Sequence, residues 1–443
     1  MRIVKRVAAA VQTVFTSLSR EVGEASGIIK RRRKFDASTL AQTLVFGFLQ
    51  NPRAKDEDLA RMAAVCGVPV TPQAIEQRFT WVLVHFLRQL LEATVKEVVK
   101  APPVLIPLLK KFNGVYVHDS SAIALPQEMA EQYPGCGGDG SSAAVKVQTR
   151  IELTAGQLSY IGLEPGRNPD QGSAIQEALL PEGSLRLADL GYFALPTLVL
   201  LARMRVNWIS RIQSSTTVFD TNGQPLDLQA WLQANAMHGP VEREVQLGVA
   251  ERLTCRLIGF AAPPEMVARR RQQLYKDAAR KGRVPSAERL AWCQWTVFVT
   301  NVPASILSPK EIIVLYRARW QIELLFKLWK SHGLVAAITN PKPARQAAEV
   351  FARLLAVIVQ HWLLLASVWS YPDRSLVKAI AGIRSFAAMV AATLKCKAHL
   401  IRILKTIGAS LVKTARMNKR KRKPNSYQLL LNPELLEYDF GIA

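Results

Sequence analysis

Apolar side chains recur at two different intervals along the chain. Up to about residue 108 the interval is that of a helix, as Leu40, Leu44 and Phe48 illustrate. From residue 115 the interval is that of a strand, because Val115 and Val117 alternate with polar neighbours. The pattern predicts a helical region followed by a sheet.

Further apolar segments extend the predicted sheet. The predicted strands are 115–118, 145–149, 158–163, 185–188, 206–212 and 295–300. Ala155-Gly156 lies between the second and third of them and predicts a hairpin turn. A helical stretch, Ala194–Met204, separates two later strands. Strands interleaved with helices in this order are typical of an α/β core.

Two other regions depart from the core pattern. Residues 214–293 mix a strand-like segment, 241–258, with a very basic helical one, 265–281, and are interpreted as an insertion. Beyond Pro343 long apolar helices are expected, followed by a basic run, Lys419–Lys423. The chain is long enough for several domains.

Positive charge dominates the composition. Lys and Arg number 58 against 34 Asp and Glu, a formal net charge of +24. Such an excess indicates a polyanionic partner, with nucleic acid favoured over an anionic membrane surface. The most apolar stretch, Leu354–Trp369, is short and contains Gln360 and His361, which favours a buried helix over a membrane span. Five scattered cysteines without zinc spacing, and no signal-peptide pattern, favour a cytoplasmic protein that acts on the nucleoid without membrane association.

The N-terminal region carries a pattern typical of a helix-turn-helix. Asp56–Val65 predicts one helix, residues 67–70 predict a turn, and Thr71-Pro72 suits the cap and first turn of a second helix. Gln73 and Arg78 would then lie near the start of that helix, where such motifs contact bases. Many helix pairs share this layout without binding DNA, so both interpretations stay open.

A long helix is predicted over Pro309–Ser331, with Ser308 as its N-cap. At about 100° per residue, four of its polar residues fall within roughly 60° of one another on one face of the helix. They are Tyr316, Arg319, Glu323 and Lys330. A carboxylate between two cations suits a metal-bound phosphate, with Glu323 on the ion and the cations on non-bridging oxygens. An ordinary amphipathic helix with solvated charges is the alternative.

Two aspartates close predicted strands. Asp119 follows the strand 115–118, and Asp189 follows the strand 185–188. Hard cations such as magnesium prefer oxygen ligands, and two ions about 4 Å apart need carboxylates from separate elements. Two aspartates and a glutamate meet that need, although each aspartate taken singly also suits a turn or a helix cap.

Three motifs together resemble the DDE transposases of bacterial insertion sequences, in the group often called IS-four type. The motifs are His118–Ser120, Ala188–Phe193 and Tyr316-x2-Arg319-x3-Glu323-x6-Lys330, of which the third is the group's own signature. Asp119 and Asp189 are 70 positions apart, and Glu323 follows after another 134, which leaves room for the insertion that this group carries. The resemblance covers about residues 110 to 340.

The resemblance implies an α/β fold, in which a ribonuclease-H-like core with a β-rich insertion is flanked by N- and C-terminal helical domains. Combined with the patterns above, it predicts five segments. They are 1–108 (helical, DNA-binding), 109–213 (core, first part), 214–293 (β-rich insertion), 294–344 (core, second part) and 345–443 (helices and basic tail).

The resemblance also implies a function, cut-and-paste transposition by two-metal cleavage and strand transfer at insertion-sequence ends. The implied catalytic and metal-binding triad is Asp119, Asp189 and Glu323, with two Mg²⁺ or Mn²⁺ ions per site. One metal would activate water to nick the element's end, and the freed 3′ hydroxyl would attack in later transfers. Tyr316, Arg319 and Lys330 would contact the DNA.

Trp295 is a further DNA-binding candidate. Some relatives stack a flipped base on a tryptophan in the strand before the signature helix, and Trp295 lies in the matching strand. The alternative is a core tryptophan beside Val297 and Val299, since alternation puts the three on one face.

The expected partner is double-stranded DNA, both transposon ends and target. Because a synapse holds two ends together, a homodimer formed through the apolar C-terminal helices is expected. A metal-dependent nuclease and an inactive DNA-binding relative are the alternative functions.

Overall fold

The computed structural model describes residues 2–29, 34–138, 140–236, 239–319, 340–417 and 424–436. The chain divides into two compact units. Unit 1 comprises Met1–Val104, Ser120–Asn168 and Ile322–Lys419, and unit 2 comprises Leu105–Asp119, Pro169–Gln321 and Arg420–Ala443.

Helices dominate the two ends of the chain, and strands occupy its middle. The α-helices described are α1 (Arg2–Thr13), α2 (Ser19–Ser26), α3 (Ala37–Gln50), α4 (Asp56–Val65), α5 (Pro72–Glu76), α6 (Trp81–Thr94), α7 (Leu195–Arg203), α8 (Leu228–Asn235), α9 (Pro264–Ala279), α10 (Ala287–Trp292), α11 (Pro309–Ala318), α12 (Pro343–Ser367), α13 (Leu376–Ser385), α14 (Ala387–Thr393), α15 (Lys397–Thr414) and α16 (Ser426–Leu431). The strands are β1 (Val115–Leu125), β2 (Ala143–Glu152), β3 (Gln157–Pro165), β4 (Leu185–Ala188), β5 (Asn207–Arg211), β6 (Val218–Phe219), β7 (Val241–Leu247), β8 (Leu253–Ala261) and β9 (Trp295–Thr300).

Unit 2 is built on a mixed sheet with the strand order β1-β4-β5-β9-β8-β7-β6. The first three strands are parallel to one another, and the other neighbouring pairs are antiparallel. The predicted insertion supplies β6, β7 and β8, which extend the sheet beyond β9. One face of this sheet packs on a cluster of buried residues that includes Trp208, Leu232 and Leu257.

Unit 1 contains the second half of β1 and the antiparallel hairpin of β2 and β3, in the strand order β3-β2-β1. Gly156 turns the hairpin with a φ of 66°, a left-handed conformation that suits glycine. The rest of the unit is helical, and α12 packs against α3, α6 and α15. Helices from the two ends of the chain therefore pack together.

Helix α12 is long and apolar enough to cross a membrane, but 94% of its most apolar window is buried inside the protein. Its buried charges are also paired, since Glu349 accepts from Arg345 at 3.0 Å and from Arg353 at 2.7 Å. Burial with satisfied charges is typical of a core helix. The prediction of a buried helix for the most apolar stretch is therefore confirmed.

Most of the predicted elements are confirmed, including α4, the hairpin turn at Gly156 and the Ser308 N-cap of α11. Three predictions need correction. The second helix of the helix-turn-helix pattern, α5, is only five residues long, although its N-cap is Thr71 as predicted. The strand-like segment 241–258 is a hairpin, because Gly248 turns the chain with a φ of 82°.

The third correction concerns β1. Asp119 was predicted to end its strand, but the strand continues to Leu125. Beyond Ser120, buried residues alternate with exposed ones as in a half-buried strand, with Ile123 and Leu125 buried. Asp119 therefore lies within β1, whereas Asp189 directly follows the last residue of β4, as predicted.

Candidate active site

Asp119 and Asp189 occupy equivalent positions on neighbouring parallel strands. The register of β1 against β4 pairs His118 with Ala188, and each aspartate is the next residue of its chain. Both side chains are partly exposed. Residues that share a register position in a parallel pair lie side by side on one face, so the two carboxylates are neighbours.

Helix α11 lies against the same face. Ser308 begins it with a capping box, accepting from the Glu311 amide while the Glu311 carboxylate accepts from the Ser308 amide, and Pro309 suits its first turn. The helix packs against β5, and the ring of Tyr316 meets Phe298 of β9 at a centroid distance of 4.9 Å. This packing carries the end of α11 to the aspartates.

Arg319, which follows α11, contacts the second aspartate. An Nη atom of Arg319 lies 3.9 Å from a carboxylate oxygen of Asp189, too far for a hydrogen bond but close enough for attraction. The arginine side chain is 10% exposed and the aspartate 51%, so a cation held by the protein faces a carboxylate open to solvent.

Tyr316 and Arg319 lie close together at the end of α11. The guanidinium carbon of Arg319 lies 5.5 Å from the centre of the Tyr316 ring. Burial raises the pKa of the Tyr316 hydroxyl to about 12; the Asp189 charge adds to this effect and the Arg319 charge opposes it. The hydroxyl therefore stays neutral at physiological pH and can donate a hydrogen bond.

Glu323 and Lys330 lie outside the described residues, as does the part of the predicted long helix beyond residue 319. His118, beside Asp119, is buried and packs edge-on to Tyr192 at a centroid distance of 6.2 Å. That position suits a structural histidine.

Trp295 lies in the core of unit 2. Its side chain is 5% exposed and belongs to the same buried cluster as Val297 and Val299. Arg211 pairs with Phe298 across β5 and β9, so alternation turns Trp295 to the sheet face opposite Asp189. The base-stacking role of Trp295 stays a prediction, and in this structure the side chain has the surroundings of a core residue.

The region that carries this geometry matches a known family. The Transposase DDE domain family matches residues 110–359, more than half of the chain. The chain belongs to the DDE transposase family. It is 28% identical over 367 residues to the transposase for insertion sequence element IS231C of Bacillus thuringiensis subsp. berliner, covering 77% of this chain and 76% of that protein. It is 24% identical over 392 residues to the transposase for insertion sequence element IS1151 of Clostridium perfringens, covering 81% of each.

Membership of this family implies a DNA-cleaving enzyme that binds transposon ends and uses a divalent metal ion. The residues present suit such an ion. Asp119 and Asp189 offer partly exposed oxygen donors from two strands, which is the donor chemistry that hard cations prefer. Within the described ranges no three candidate ligands of His, Cys, Asp or Glu come together, and the predicted third ligand, Glu323, lies outside these ranges.

Two arginines near this candidate site were not predicted from the sequence. Arg211 is the last residue of β5, and Arg270 of α9 donates to the carbonyls of Cys293 and Trp295 and to the Thr296 hydroxyl. The basic character of α9 is visible in the sequence, but a helix sequence alone does not show which arginine turns inward. The signal for Arg211 is its place at the end of an apolar strand, which is also the place of Asp189.

Proposed function

We propose that this DDE transposase excises an insertion sequence by a cut-and-paste route and joins its ends to target DNA. Asp119, Asp189 and Glu323 form the catalytic triad and hold two magnesium ions, for which manganese can substitute. The adjacency of the two aspartates on parallel strands is the observation that carries the proposal, since it supplies two of the three carboxylates from separate elements.

Divalent ions, when bound there, neutralise charge on the scissile phosphate and acidify water. The remaining chemistry belongs to the protein. Arg319 and Lys330 hold non-bridging phosphate oxygens, and the neutral hydroxyl of Tyr316 donates to the DNA backbone. The attraction between Arg319 and Asp189 supports this role, because it keeps the guanidinium beside the carboxylates before DNA arrives.

The basic surface of the insertion supports DNA binding outside the catalytic centre. Helices α9 and α10 and the connection between them expose several cations to solvent. These are Arg269, Lys276, Arg280, Lys281, Arg283 and Arg289. Arg270 and Arg271 instead turn inward, and Arg271 donates to the Leu290 carbonyl at 3.4 Å. The surface is therefore anchored, as a rigid contact with DNA phosphates requires.

The proposed assembly is a homodimer that holds two element ends. A synapse of two ends gives each catalytic site one end to cut, and symmetric pairs are the commonest protein assemblies. The molar mass of the DNA-bound complex tests this part of the proposal. Two chains with two ends are expected, and one chain with one end would contradict it.

The catalytic proposal is tested by incubating the purified protein with a labelled duplex from the end of its own element, with magnesium or manganese. We expect nicking and joining with either metal and none with a chelator. Asp189→Asn and Glu323→Gln should abolish both products while DNA binding persists. Glu182→Gln is the matched control, because that exposed carboxylate of unit 2 pairs with Arg205 at 3.0 Å, and it should leave cleavage unchanged.

Two alternatives give different products. A metal-dependent nuclease would nick the duplex without joined strands, so an assay for strand transfer separates it from a transposase. An inactive DNA-binding relative would retain tight binding with no cleavage in any metal. Activity that survives in Asp189→Asn would contradict the proposed triad itself.

A further inference from the structure

Arg211 ends β5 at the register position of the two aspartates. The register of β4 against β5 pairs Leu187 with Ile209, and Asp189 and Arg211 each lie two residues further along their chains. Asp119 stands at the same level on β1. Three neighbouring parallel strands therefore present Asp119, Asp189 and Arg211 side by side on one face.

The surroundings of Arg211 are basic. Its charge is close enough to affect Tyr316 and the half-buried Arg270, and it lowers the pKa of both, although burial is the larger effect at each group. Arg319 approaches the same face from α11. Arg211 and Arg319 therefore lie beside Asp189, and Arg270 lies close to Arg211.

Arg211 and Arg270 have no carboxylate partner among the residues that the structure describes. Arg319 approaches Asp189 at 3.9 Å, and Arg270 is satisfied by two carbonyls and a hydroxyl that carry no charge. In the part of the chain that the structure describes, no carboxylate lies within 4.0 Å of the Arg211 guanidinium. A partly buried cation that lacks an anion is costly, so the surroundings of Arg211 suit an anionic ligand.

We propose that Arg211 binds a phosphate of the DNA strand held at the active site, through non-bridging oxygens next to those that Arg319 contacts. The inference rests on the proposed function, since it assigns a second phosphate subsite to the same catalytic face. An arginine suits this subsite because its planar guanidinium donates two parallel hydrogen bonds to a phosphate. Lysine, a point charge, reproduces only part of that contact.

A purely structural Arg211 is the competing explanation. A structural arginine normally donates to carbonyls or carboxylates, as Arg270 does here and as Arg256 does with Glu242 and the Leu307 carbonyl at 2.7 Å. No hydrogen bond from the side chain of Arg211 is found to any described residue, and the residue is partly exposed. Its side chain is therefore available to a ligand.

The test compares Arg211→Gln and Arg211→Lys with the wild-type chain on the element-end duplex. We expect Arg211→Gln to lower the cleavage rate at saturating DNA about 10- to 100-fold, the usual effect of losing a hydrogen bond between charged groups, and Arg211→Lys to recover part of the rate. Arg243→Gln is the matched control. That arginine of β7 lies 3.9 Å from Asp220 and is remote in register from the aspartates, so its removal should change the rate little.

A second measurement distinguishes phosphate binding from a general effect on folding. Neutral methylphosphonates are placed one at a time at the phosphates around the cleavage site. If Arg211 binds one of them, that substitution slows the wild type but has no additional effect in Arg211→Gln. Equal slowing of both proteins at every position would overturn the assignment, as would unchanged cleavage by Arg211→Gln.

The failure of this inference and that of the proposed function are distinguishable. If the wild-type protein binds the duplex but does not cleave it with any metal, the proposed function is refuted, and with it the reaction in which Arg211 would take part. If the wild type cleaves the duplex and Arg211→Gln cleaves it at the same rate, only the assignment of Arg211 is refuted. Thermal unfolding of each variant verifies that the compared proteins are folded.

Discussion

The buried histidine of α12 makes the stability of unit 1 depend on pH. His361 is fully enclosed, and its Nε2–H donates to the Gly156 carbonyl at 2.6 Å, which ties α12 to the turn between β2 and β3. The Trp369 ring packs against the imidazole at 5.7 Å. Burial lowers the pKa of His361 to about 4 from its usual 6.5, and the bond to Gly156 only partly opposes this.

The sign of the effect follows from the lowered pKa. Between about pH 6.5 and 4 the unfolded chain binds a proton that the native chain excludes, so stability falls as the pH drops through this window. Each pH unit within the window is worth about 1.4 kcal/mol. Acidification from pH 7.5 to pH 5 should therefore cost about 2 kcal/mol through His361 alone.

The assay is urea unfolding at pH 7.5 and pH 5 for the wild type, His361→Gln and His399→Gln. Glutamine can donate to the Gly156 carbonyl but does not titrate, so His361→Gln should lose about 2 kcal/mol less than the wild type on acidification. His399 is exposed in the same unit, and its variant should behave as the wild type does. Equal acid destabilisation of all three proteins would refute the reasoning.

Three further predictions concern other parts of the molecule. Gly156→Ala should lower the free energy of unfolding in urea by more than about 1 kcal/mol, because φ is positive there and a Cβ would lie 2.4 Å from the indole ring of Trp369. Gly27→Ala should cost less, because φ is also positive but the space around that glycine is open. Trp295→Ala should cost about 3 to 5 kcal/mol in the same measurement if the side chain is a core residue, and a smaller cost with defective cleavage would favour base stacking. Lys276→Glu combined with Lys281→Glu should make DNA binding less dependent on salt. The slope of the logarithm of the binding constant against the logarithm of salt concentration should fall by about 0.9 for each phosphate that the variant no longer binds. An unchanged slope would show that this surface does not contact DNA phosphates.

Local patterns were sufficient to predict the elements that carry the aspartates. The alternation of Val115 and Val117 and the apolar run before Asp189 predicted β1 and β4, because burial of one sheet face is already visible in the sequence. The predicted end of β1 was wrong, because small and polar residues directly after Asp119 interrupt the apolar alternation from which the strand was predicted. The strand continues as far as Leu125.

Contacts between distant segments were harder to predict. The equivalence of Asp119, Asp189 and Arg211 depends on the register of three strands, and no single strand sequence specifies a register. The inward orientation of Arg270 depends in the same way on carbonyls that follow α10, more than twenty residues away. Sequence motifs therefore indicate the candidate residues of the signature, whereas the positions of Arg211 and Arg270 became visible only in the fold.

The charge distribution at the site explains why it suits DNA better than a small acidic ligand. Arg319 lies 3.9 Å from Asp189 without a hydrogen bond to it, so the guanidinium is attracted to the carboxylate and stays beside it. Arg211 at the end of β5 extends the positive charge to the strand next to that of Asp189. A ligand that satisfies both arginines while its reactive phosphate faces Asp119 and Asp189 must carry several phosphates at fixed spacing, as a DNA strand does.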